Sequence, residues 1–342
     1  MRYIDLRSDS VTRPTPKMRR AMAEAEVGYD VFREDPTVTR LEALAAEMTG
    51  KEKGLFVPTG TMGNQLAILA FTSRGGEIIL SADSHILNAE TGAAAVLAAV
   101  GCRSVFTPDS ILRPADIEDA IRPDKINKPC SALVCLENAL GRGSALPLDF
   151  MEAAYATAKK HSLPVHTDGA RAFNAAHALG TTVADIARFT DSLVIHLSKG
   201  LCAPVGSVLL GPDDFIERAR RYRHMLGGGW SQAGILAAAG IVALEDMVER
   251  LAEDHQHARY LAGQLDALPG VTVDTTRADI NMVFFTLEDE ALRDGLCSCL
   301  LAKNIQISGH KKGVFRFVVH NDISMEDIDY VVNAMEGFFA CA

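Results

Sequence analysis

The sequence lacks the long apolar runs and paired cysteines that mark membrane proteins and many metal or disulfide proteins. No stretch reaches the roughly 20 consecutive apolar residues that a membrane span requires. The first seven residues carry charges where a secretion signal would have an apolar core. The seven cysteines are odd in number and form no C-x-x-C pair, which favours free thiols in a reducing compartment. We therefore expect a cytoplasmic protein that makes no membrane contact.

Motifs of several common enzyme classes are missing too. There is no G-x-G-x-x-G or G-x-S-x-G after a strand, which argues against a nicotinamide dehydrogenase and a serine hydrolase. No cluster of metal ligands is visible, and His255 and His257 are predicted to lie on a solvated helix face. The formal net charge of −10 argues against nucleic acid as a partner.

What is present is the pattern of an α/β protein with two domains. The chain has 342 residues, more than one hydrophobic core normally serves. Short apolar runs alternate with helical segments, as in a mostly parallel sheet between helices. We expect a large domain over residues 1–245 and a small α+β domain over residues 246–342. A single long helix over about 233–268 is expected to join them.

The predicted elements place polar residues at the ends of strands. In the large domain, strands are predicted at 54–57, 77–81, 132–136, 164–167, 192–196 and 207–210. Helices there are predicted at about 64–72, 90–100 and 148–161, and from about 170. In the small domain, strands are predicted at 271–274, 281–286 and 314–319, with helices ending near 303 and starting at 325. Ligands in such sheets bind at the carboxyl ends of the strands.

Lys199 and Asp168 form the most informative pair in the sequence. Each follows an apolar run that is predicted to be a strand. A lysine amine can bond the aldehyde carbon of pyridoxal phosphate, while a carboxylate keeps the pyridine nitrogen protonated. The pair therefore predicts this cofactor. Cys202 lies near Lys199 in the sequence, where packing is a more common role than reactivity.

Two further segments complete the expected site. Gly60 and Thr61 lie in a turn of small residues between a strand and a helix, where backbone N–H groups can approach a phosphate. His85 follows the next strand and could lie on a pyridine ring or accept a proton. Arg171 and Arg316 could bind a carboxylate through two parallel hydrogen bonds, or could equally form buried ion pairs.

Seven segments spread along the chain form one family pattern. They are Asp5-Leu-Arg-Ser-Asp-Ser-Val-Thr12, Glu34-Asp-Pro-Thr37, Phe56-Val-Pro-Thr-Gly-Thr-Met-Gly-Asn64, Asp83-Ser-His85, Asp168-Gly-Ala-Arg171, Leu197-Ser-Lys-Gly-Leu-Cys-Ala-Pro-Val-Gly206 and Gln232-Ala-Gly234. On the basis of these segments, the chain resembles the threonine aldolase family over essentially its full length. Members of this family are fold-type-I pyridoxal-phosphate lyases that are grouped with the β-eliminating lyases.

The resemblance implies roles for individual residues. Lys199, His85 and Asp168 would be catalytic: Lys199 would attach the cofactor, His85 would stack on its ring and Asp168 would pair with its pyridine nitrogen. The cofactor-binding set would be Gly60, Thr61, His85, Asp168, Arg171 and Lys199. The substrate carboxylate would be bound by Ser8, Arg171 and Arg316. Family members are homodimers or homotetramers with shared sites, so the segment 34–37 would reach a neighbouring subunit.

The implied reaction is cleavage of the Cα–Cβ bond of a β-hydroxy-α-amino acid, such as threonine or allo-threonine, to glycine and an aldehyde. A β-elimination, a transamination or a racemisation would begin at the same site and remains an alternative. A protein that binds the cofactor without catalysing any reaction is a further alternative.

The chain departs from the family pattern around the substrate side chain. Leu140 stands where the family usually has a histidine, and Ala89 lies where an aromatic residue is expected. Arg33 replaces a glycine, and Trp230-Ser231 stands where an arginine is common. Cofactor residues are kept while pocket residues differ, which favours an altered substrate. Arg33 could recruit an anionic side chain, and His85 or a water would act as the base.

Overall fold

The computed structural model describes residues 3–340 of the chain. The expectation of a free thiol at Cys341 lies outside the described residues, as do Met1 and Arg2. The other six cysteines are free thiols. No helix among the described residues is long and apolar enough to cross a membrane.

Strands and helices alternate along most of the chain. In chain order the strands are β1 (Ile4–Asp5), β2 (Lys53–Val57), β3 (Glu77–Ser81), β4 (Gly101–Val105), β5 (Ser131–Glu137), β6 (Val165–Gly169), β7 (Ser192–His196), β8 (Ser207–Gly211), β9 (Val271–Val273), β10 (Met282–Leu287), β11 (Ile305–Gln306), β12 (His310–Lys311) and β13 (Val314–Val318). The helices are α1 (Pro16–Ala23), α2 (Pro36–Thr49), α3 (Gly60–Phe71), α4 (His85–Asn88), α5 (Pro114–Ala120), α6 (Leu148–Lys160), α7 (Ala172–Leu179), α8 (Val183–Ala187), α9 (Asp213–Met225), α10 (Gly234–Asp246), α11 (Leu251–Asp266), α12 (Arg293–Ala302) and α13 (Met325–Phe339).

A seven-stranded sheet positions the site. Its strand order is β2-β8-β7-β6-β5-β3-β4, and β4, β3, β5, β6 and β7 run parallel to one another. Strand β8 is antiparallel to both of its neighbours. Apart from the edge strand β4, whose residues are exposed or partly buried, the strands are almost wholly buried, as expected of a sheet that helices cover on both faces. The carboxyl ends of β3, β5, β6 and β7 therefore meet along one edge of this sheet.

A smaller antiparallel sheet, in the order β12-β13-β10-β9, packs against α11, α12 and α13 through a second apolar core. The N-terminal strand β1 lies beside it and pairs in parallel with β11. Leu6 belongs to this second core, and its carbonyl accepts a 3.0 Å hydrogen bond from the backbone N–H of Val318. The first residues of the chain are thus held against the C-terminal part of the molecule.

Two helix predictions are wrong. Residues 90–100 do not form a continuous helix: Thr91 and Gly92 have positive φ angles of 57° and 71°, and only Ala94–Ala98 makes a short π-helical turn. The long helix over 233–268 is two helices, α10 and α11, separated by residues 247–250. The Nε of Arg250, at the start of α11, donates a 2.8 Å hydrogen bond to Asn321 Oδ1, which helps to fix this break.

The prediction of a solvated pair at His255 and His257 is wrong as well. His255 is 1% exposed, and its ring packs edge-on against His177 with 4.9 Å between the ring centroids. Burial lowers the pKa of His255 to about 3, so its imidazole is neutral. His257 is only partly exposed, and its Nδ1 lies 3.2 Å from the carbonyl oxygen of Ile323. Both rings pack between elements instead of facing solvent.

Candidate active site

Asp168 lies near the carboxyl end of β6, where it is buried and held by two hydrogen bonds. Its Oδ2 accepts from Asn64 Nδ2 at 2.8 Å, and its Oδ1 accepts from the backbone N–H of Ala170 at 3.0 Å. Burial raises the pKa of this carboxyl, but neighbouring basic side chains, Lys199 among them, lower it by more. Asp168 is therefore ionised at neutral pH, as pairing with a protonated ring nitrogen requires.

Lys199 follows β7 and has an unusual backbone conformation. Its φ angle is 87°, a value that non-glycine residues adopt rarely and often at functional sites. Its carbonyl accepts a 2.7 Å hydrogen bond from Thr12 Oγ1, which fixes the turn. Burial and the charge of Arg171 lower the pKa of the Lys199 amine to about 8. A substantial fraction of this amine is thus neutral and nucleophilic in mildly alkaline solution.

His85 begins the short helix α4 and is held through both its ring and its backbone. Its Nδ1 lies 2.8 Å from Glu90 Oε1, and its backbone N–H donates to Glu137 Oε2 at 3.2 Å. The hydrogen bond to Glu90 raises the pKa of His85 above its ordinary value despite partial burial. The His85 side chain keeps 40% of its surface exposed, so its ring can still meet a ligand.

Asn64 joins these groups in one buried network. Its Nδ2 donates to Glu90 Oε1 at 2.7 Å and to Asp168, so both amide hydrogens are used. Its Oδ1 must then accept from His166 Nε2, which lies 2.9 Å away. His166 Nδ1 in turn accepts from Ser192 Oγ at 2.8 Å. Burial lowers the pKa of His166 to about 4, in agreement with a neutral ring of fixed tautomer.

Three of these groups lie close enough to share a metal ion. Ligand atoms of His85, Glu90 and Asp168 all fall within 4.8 Å of one another. Each already has a partner, because Asn64 donates to both carboxylates and Glu90 accepts from His85. The hydrogen bonds satisfy the cluster without a cation, and the expectation of no metal stays a prediction.

The turn between β2 and α3 forms a cup for an anion. Helix α3 begins at Gly60, and its N-cap Thr59 accepts a 3.1 Å hydrogen bond from the backbone N–H of Met62. The first N–H groups of a helix have no intrahelical partner and favour an anion. A Cβ atom on Gly60 would lie 1.7 Å from Nε2 of His196. That nitrogen is buried and has no hydrogen-bond partner within the described chain.

These observations fit the phosphate of the cofactor that the sequence predicts. Phosphate oxygens can accept hydrogen bonds both from the first N–H groups of α3, which include Thr61, and from an imidazole N–H. The His196 side chain is only 10% exposed, and its Nε2 lies 4.0 Å from Asp168 Oδ1. In the tautomer that carries its hydrogen on Nε2, this nitrogen is a buried donor without a partner, which is costly unless a ligand satisfies it. The turn therefore suits a phosphate monoester bound by the first N–H groups of α3, with the His196 ring packed against Gly60.

The second wall of the site is basic, but one of its arginines is already paired. Arg171 binds Asp9 in a bidentate ion pair, with distances of 2.8 Å from Nε to Oδ2 and 2.7 Å from Nη2 to Oδ1. Asn281 Nδ2 adds a 3.3 Å contact to Asp9 Oδ2. Burial opposes the ionisation of Asp9, but Arg171 outweighs it and keeps the pKa of Asp9 below its ordinary range. The sequence left open whether Arg171 binds a carboxylate ligand or forms a buried ion pair, and the structure shows the ion pair with Asp9.

Arg316 is the less constrained arginine. Its Nη2 donates a 3.2 Å hydrogen bond to the carbonyl oxygen of Arg7, and burial together with the charge of Arg171 lowers its pKa. Ser8 lies in the same N-terminal segment, where its Oγ accepts from the backbone N–H of Ser10 at 3.1 Å. The structure thus brings Ser8, Arg171 and Arg316 to one side of the Lys199 site.

The segment around Arg33 lies apart from this group. Arg33 has φ 62° and forms an exposed ion pair with Glu217. Asp35 is a structural residue within its own chain: its carboxylate accepts from the backbone N–H groups of Val38 and Gly234 at 3.0 and 2.9 Å. A role for Arg33 or for the segment 34–37 in a neighbouring subunit's site stays a prediction.

A cavity of about 690 Å³ lies on the Glu137 and Arg316 side of the site, and Lys199 does not line it. Leu140 and Arg316 both line it, together with Ser84 and Glu137 next to His85. Leu140 is 6% exposed and belongs to the main apolar core. The position where the family pattern has a histidine therefore contributes an apolar surface here. Cys202 is fully buried, and burial raises the pKa of its thiol to about 12, which fits packing and not reactivity.

Four residues of the site were not predicted from the sequence: Asn64, Glu90, His166 and His196. Each is polar and lies within five positions of a predicted site residue in the sequence, but only Asn64 falls within one of the seven family segments. Their pairing could not be predicted, because Asn64 and Asp168 are 104 positions apart in the chain. A hydrogen bond over such a distance leaves no local pattern.

Comparison with known proteins finds relatives that match almost the whole chain. The model of the beta-eliminating lyase family matches residues 5–288. The chain is 41% identical over 347 residues to a probable low-specificity L-threonine aldolase 2 of Arabidopsis thaliana, covering 99% of this chain and 98% of that one. It is also 41% identical over 338 residues to the low specificity L-threonine aldolase of Escherichia coli strain K12, covering 98% and 99% of the two chains.

A solved structure gives the same result for the fold. The threonine aldolase of Leishmania major superposes with a TM-score of 0.85 over 98% of this chain and 99% of that chain, at 22% sequence identity. The predicted α/β fold, with a mostly parallel sheet and a smaller antiparallel one, is confirmed.

Proposed function

Because this chain belongs to the beta-eliminating lyases and, among them, to the threonine aldolase family, we propose that it cleaves the Cα–Cβ bond of a β-hydroxy-α-amino acid. The products would be glycine and an aldehyde. One observation carries the proposal most directly: Lys199, Asp168 and His85 meet at the carboxyl edge of the sheet, with the pKa of Lys199 lowered to about 8. A lysine amine that is partly neutral suits covalent attachment of a carbonyl compound.

The residues present fit pyridoxal phosphate. Lys199 would attach it, Asp168 would pair with its ring nitrogen, and the first N–H groups of α3, at Gly60 and Thr61, would bind its phosphate with His196. When bound, the cofactor accepts the electrons of the bond that breaks at the amino acid α-carbon. The ionised state of Asp168, which two hydrogen bonds and Lys199 support, keeps a positive charge on the ring nitrogen favourable.

His85 is positioned to remove the proton from the substrate hydroxyl. Glu90 binds the Nδ1 hydrogen, which leaves the lone pair of Nε2 available as a base. Leu140 offers no proton acceptor where the family pattern has a histidine. His85 therefore carries the general-base role in this chain, a contribution on the order of 10²–10⁴-fold to such a reaction.

The carboxylate of the substrate would be bound by Arg316, Arg171 and Ser8. Arg171 already binds Asp9, so the Arg171 guanidinium is fixed in orientation but partly neutralised. Arg316 has no such carboxylate partner among residues 3–340 and would supply most of the attraction. Fixing the carboxylate sets which bond at the α-carbon breaks, since only a bond perpendicular to the cofactor ring is weakened.

A product assay on purified protein tests the proposal. Glycine and aldehyde released from threonine, allo-threonine or phenylserine, and lost in Lys199→Ala, would support it. Ammonia with a keto acid, or inversion of the α-carbon, would instead identify elimination, transamination or racemisation at the same site. A visible absorption band that disappears in Lys199→Ala would show that the cofactor attaches at Lys199, whether or not the enzyme turns over a substrate.

We further propose a cytoplasmic homodimer or homotetramer. Tyr29 and Phe32, which flank the segment 30–31, are 41% and 69% exposed and pack edge-on against each other. Exposed aromatic residues next to a predicted intersubunit segment suit a subunit contact. Light scattering of the purified protein would give the mass, and a monomer would refute the proposal of shared sites.

A further inference from the structure

The cavity that Glu137, Leu140 and Arg316 line is larger than the side chain of threonine needs. Its volume is about 690 Å³, whereas the side chain of threonine ends one methyl group beyond the β-carbon. Much of its wall is apolar, formed by Leu112, Leu136, Leu140, Leu146, Phe284 and Val314. An apolar wall of this extent gains from contact with a bulky hydrocarbon group.

The same cavity is strongly basic, although the whole chain has a formal net charge of −10. Five cationic side chains line it: Arg142, Arg277, Lys311, Lys312 and Arg316. Only two acidic residues do so, Asp83 and Glu137. Burial raises the pKa of Glu137, which weakens its negative charge. Asp83 accepts a 2.7 Å hydrogen bond from Ser110 Oγ. The cavity therefore has an excess of positive charge.

Arg142 and Arg277 are partly buried and fixed in place. The Arg277 guanidinium lies 3.6 Å from the ring centroid of Phe284, and its Nε donates to the carbonyl oxygen of Arg142 at 3.0 Å. Arg142 Nη1 donates to the carbonyl oxygen of Pro108 at 3.1 Å. The nearest acid to Arg277 is Asp274, at 3.8 Å. Arg142 has no carboxylate partner within residues 3–340.

Cations held together in this way repel one another. Burial and the charge of Arg142 lower the pKa of Arg277, with a further contribution from Arg316. An anion placed between these guanidinium groups would relieve the repulsion and use their free N–H donors. A carboxylate suits the site, because a planar guanidinium binds it with two parallel hydrogen bonds.

We infer that this cavity binds a substrate whose β-substituent has an apolar body and a terminal carboxylate, which Arg142 and Arg277 recognise. The inference rests on the proposed lyase function and specifies its substrate class. It also moves the expected recognition of an anionic side chain from Arg33, which is ion-paired outside the cavity, to two arginines that line it.

Binding of amino acids without a β-hydroxyl group tests the cavity separately from the reaction. The holoenzyme would be titrated calorimetrically with phenylalanine and with 4-carboxyphenylalanine, neither of which has a hydroxyl for retro-aldol cleavage. We expect the carboxylated ligand to bind about tenfold more tightly or better, as a charge-assisted hydrogen bond provides. Arg142→Ala and Arg277→Ala should each reduce this preference while leaving phenylalanine binding within about twofold.

Matched variants separate recognition from folding. Arg74→Ala removes an exposed arginine elsewhere and should keep the full preference. Arg277→Lys keeps the charge without the planar group and should retain part of it. Equal dissociation constants for the two ligands in the wild type would overturn the inference. Glycine release from phenylserine is measured in parallel. Glycine release together with equal dissociation constants would support the lyase function and overturn only the substrate class. No glycine release together with a tenfold preference would refute the lyase function and support carboxylate recognition by the cavity.

Discussion

The imidazole Nδ1 of His85 lies 2.8 Å from Oε1 of Glu90, a carboxylate with no exposed surface. Since a carboxylate accepts hydrogen bonds, Nδ1 carries the hydrogen and Nε2 keeps its lone pair. The same contact raises the pKa of His85. One buried acid thus sets both the orientation and the basicity of the proposed base.

Replacing Glu90 by glutamine should make His85 less basic. The base must be neutral to accept a proton, so kcat/KM rises with pH through the pKa of His85. Without the Glu90 charge this rising limb should move to lower pH. A pH profile of glycine release would measure the shift, with Glu118→Gln, next to the exposed His161, as the control. A limb that stays in place would exclude this role for Glu90.

Attachment of the cofactor should depend on pH through Lys199. Its pKa is about 8, compared with an ordinary value of 10.5. The rate at which pyridoxal phosphate joins the apoprotein should therefore rise with pH and level off above about pH 9. Stopped-flow absorbance would record this rate. A midpoint near pH 10 would mean that burial does not lower the pKa of this lysine.

His196→Leu should weaken binding of the cofactor through its phosphate. The variant removes the buried, unpartnered Nε2 beside Gly60, which would donate to the phosphate in its N–H tautomer, so the dissociation constant of pyridoxal phosphate should rise about tenfold. Binding of pyridoxal, which has no phosphate, should hardly change. Fluorescence titration of apoprotein would compare the two, with His161→Leu as the control. Equal weakening of both ligands would indicate that His196 acts on the ring or on Asp168.

Asn64→Leu should destabilise the cofactor-free protein. It removes one buried hydrogen-bond partner from each of Glu90, Asp168 and His166, a loss of about 2–4 kcal/mol in the free energy of unfolding. Urea denaturation at pH 7 would measure it. Asn127→Leu, at an exposed position, should cost little. A loss below about 1 kcal/mol would show that the network contributes mainly to positioning.

Six of the seven strands of the large sheet were predictable because they are short and buried on both faces; the edge strand β4, which is partly exposed, was missed. The strand 192–196 was predicted to the residue, and Asp168 and Lys199 were placed correctly at strand ends, since a parallel sheet gathers such ends along one edge. The hydrophobic pattern of a buried strand depends only on its own residues, which is why it can be read without knowledge of the fold.

The wrong predictions, which concern the long helix, His255 and the helix over 90–100, have a common physical cause. The break between α10 and α11 contains neither glycine nor proline, and a contact from Arg250 to Asn321 helps to fix it. His255 is buried because α7 happens to pack on its face of α11. Glu90 turns inward to meet Asn64 and His85, which interrupts the predicted helix. Contacts between distant segments decide all three, and sequence periodicity does not record them.

The amide of Asn64 has a consequence for how protons travel in this enzyme. It touches both Glu90 and Asp168, yet it has no ionisable hydrogen to pass from one to the other. A proton that His85 takes from a substrate can be shared with Glu90 but cannot reach Asp168 along this path. Asn64 therefore binds both Glu90 and Asp168 but cannot transfer a proton from one to the other. This separation helps to keep Asp168 ionised beside the ring nitrogen of the cofactor.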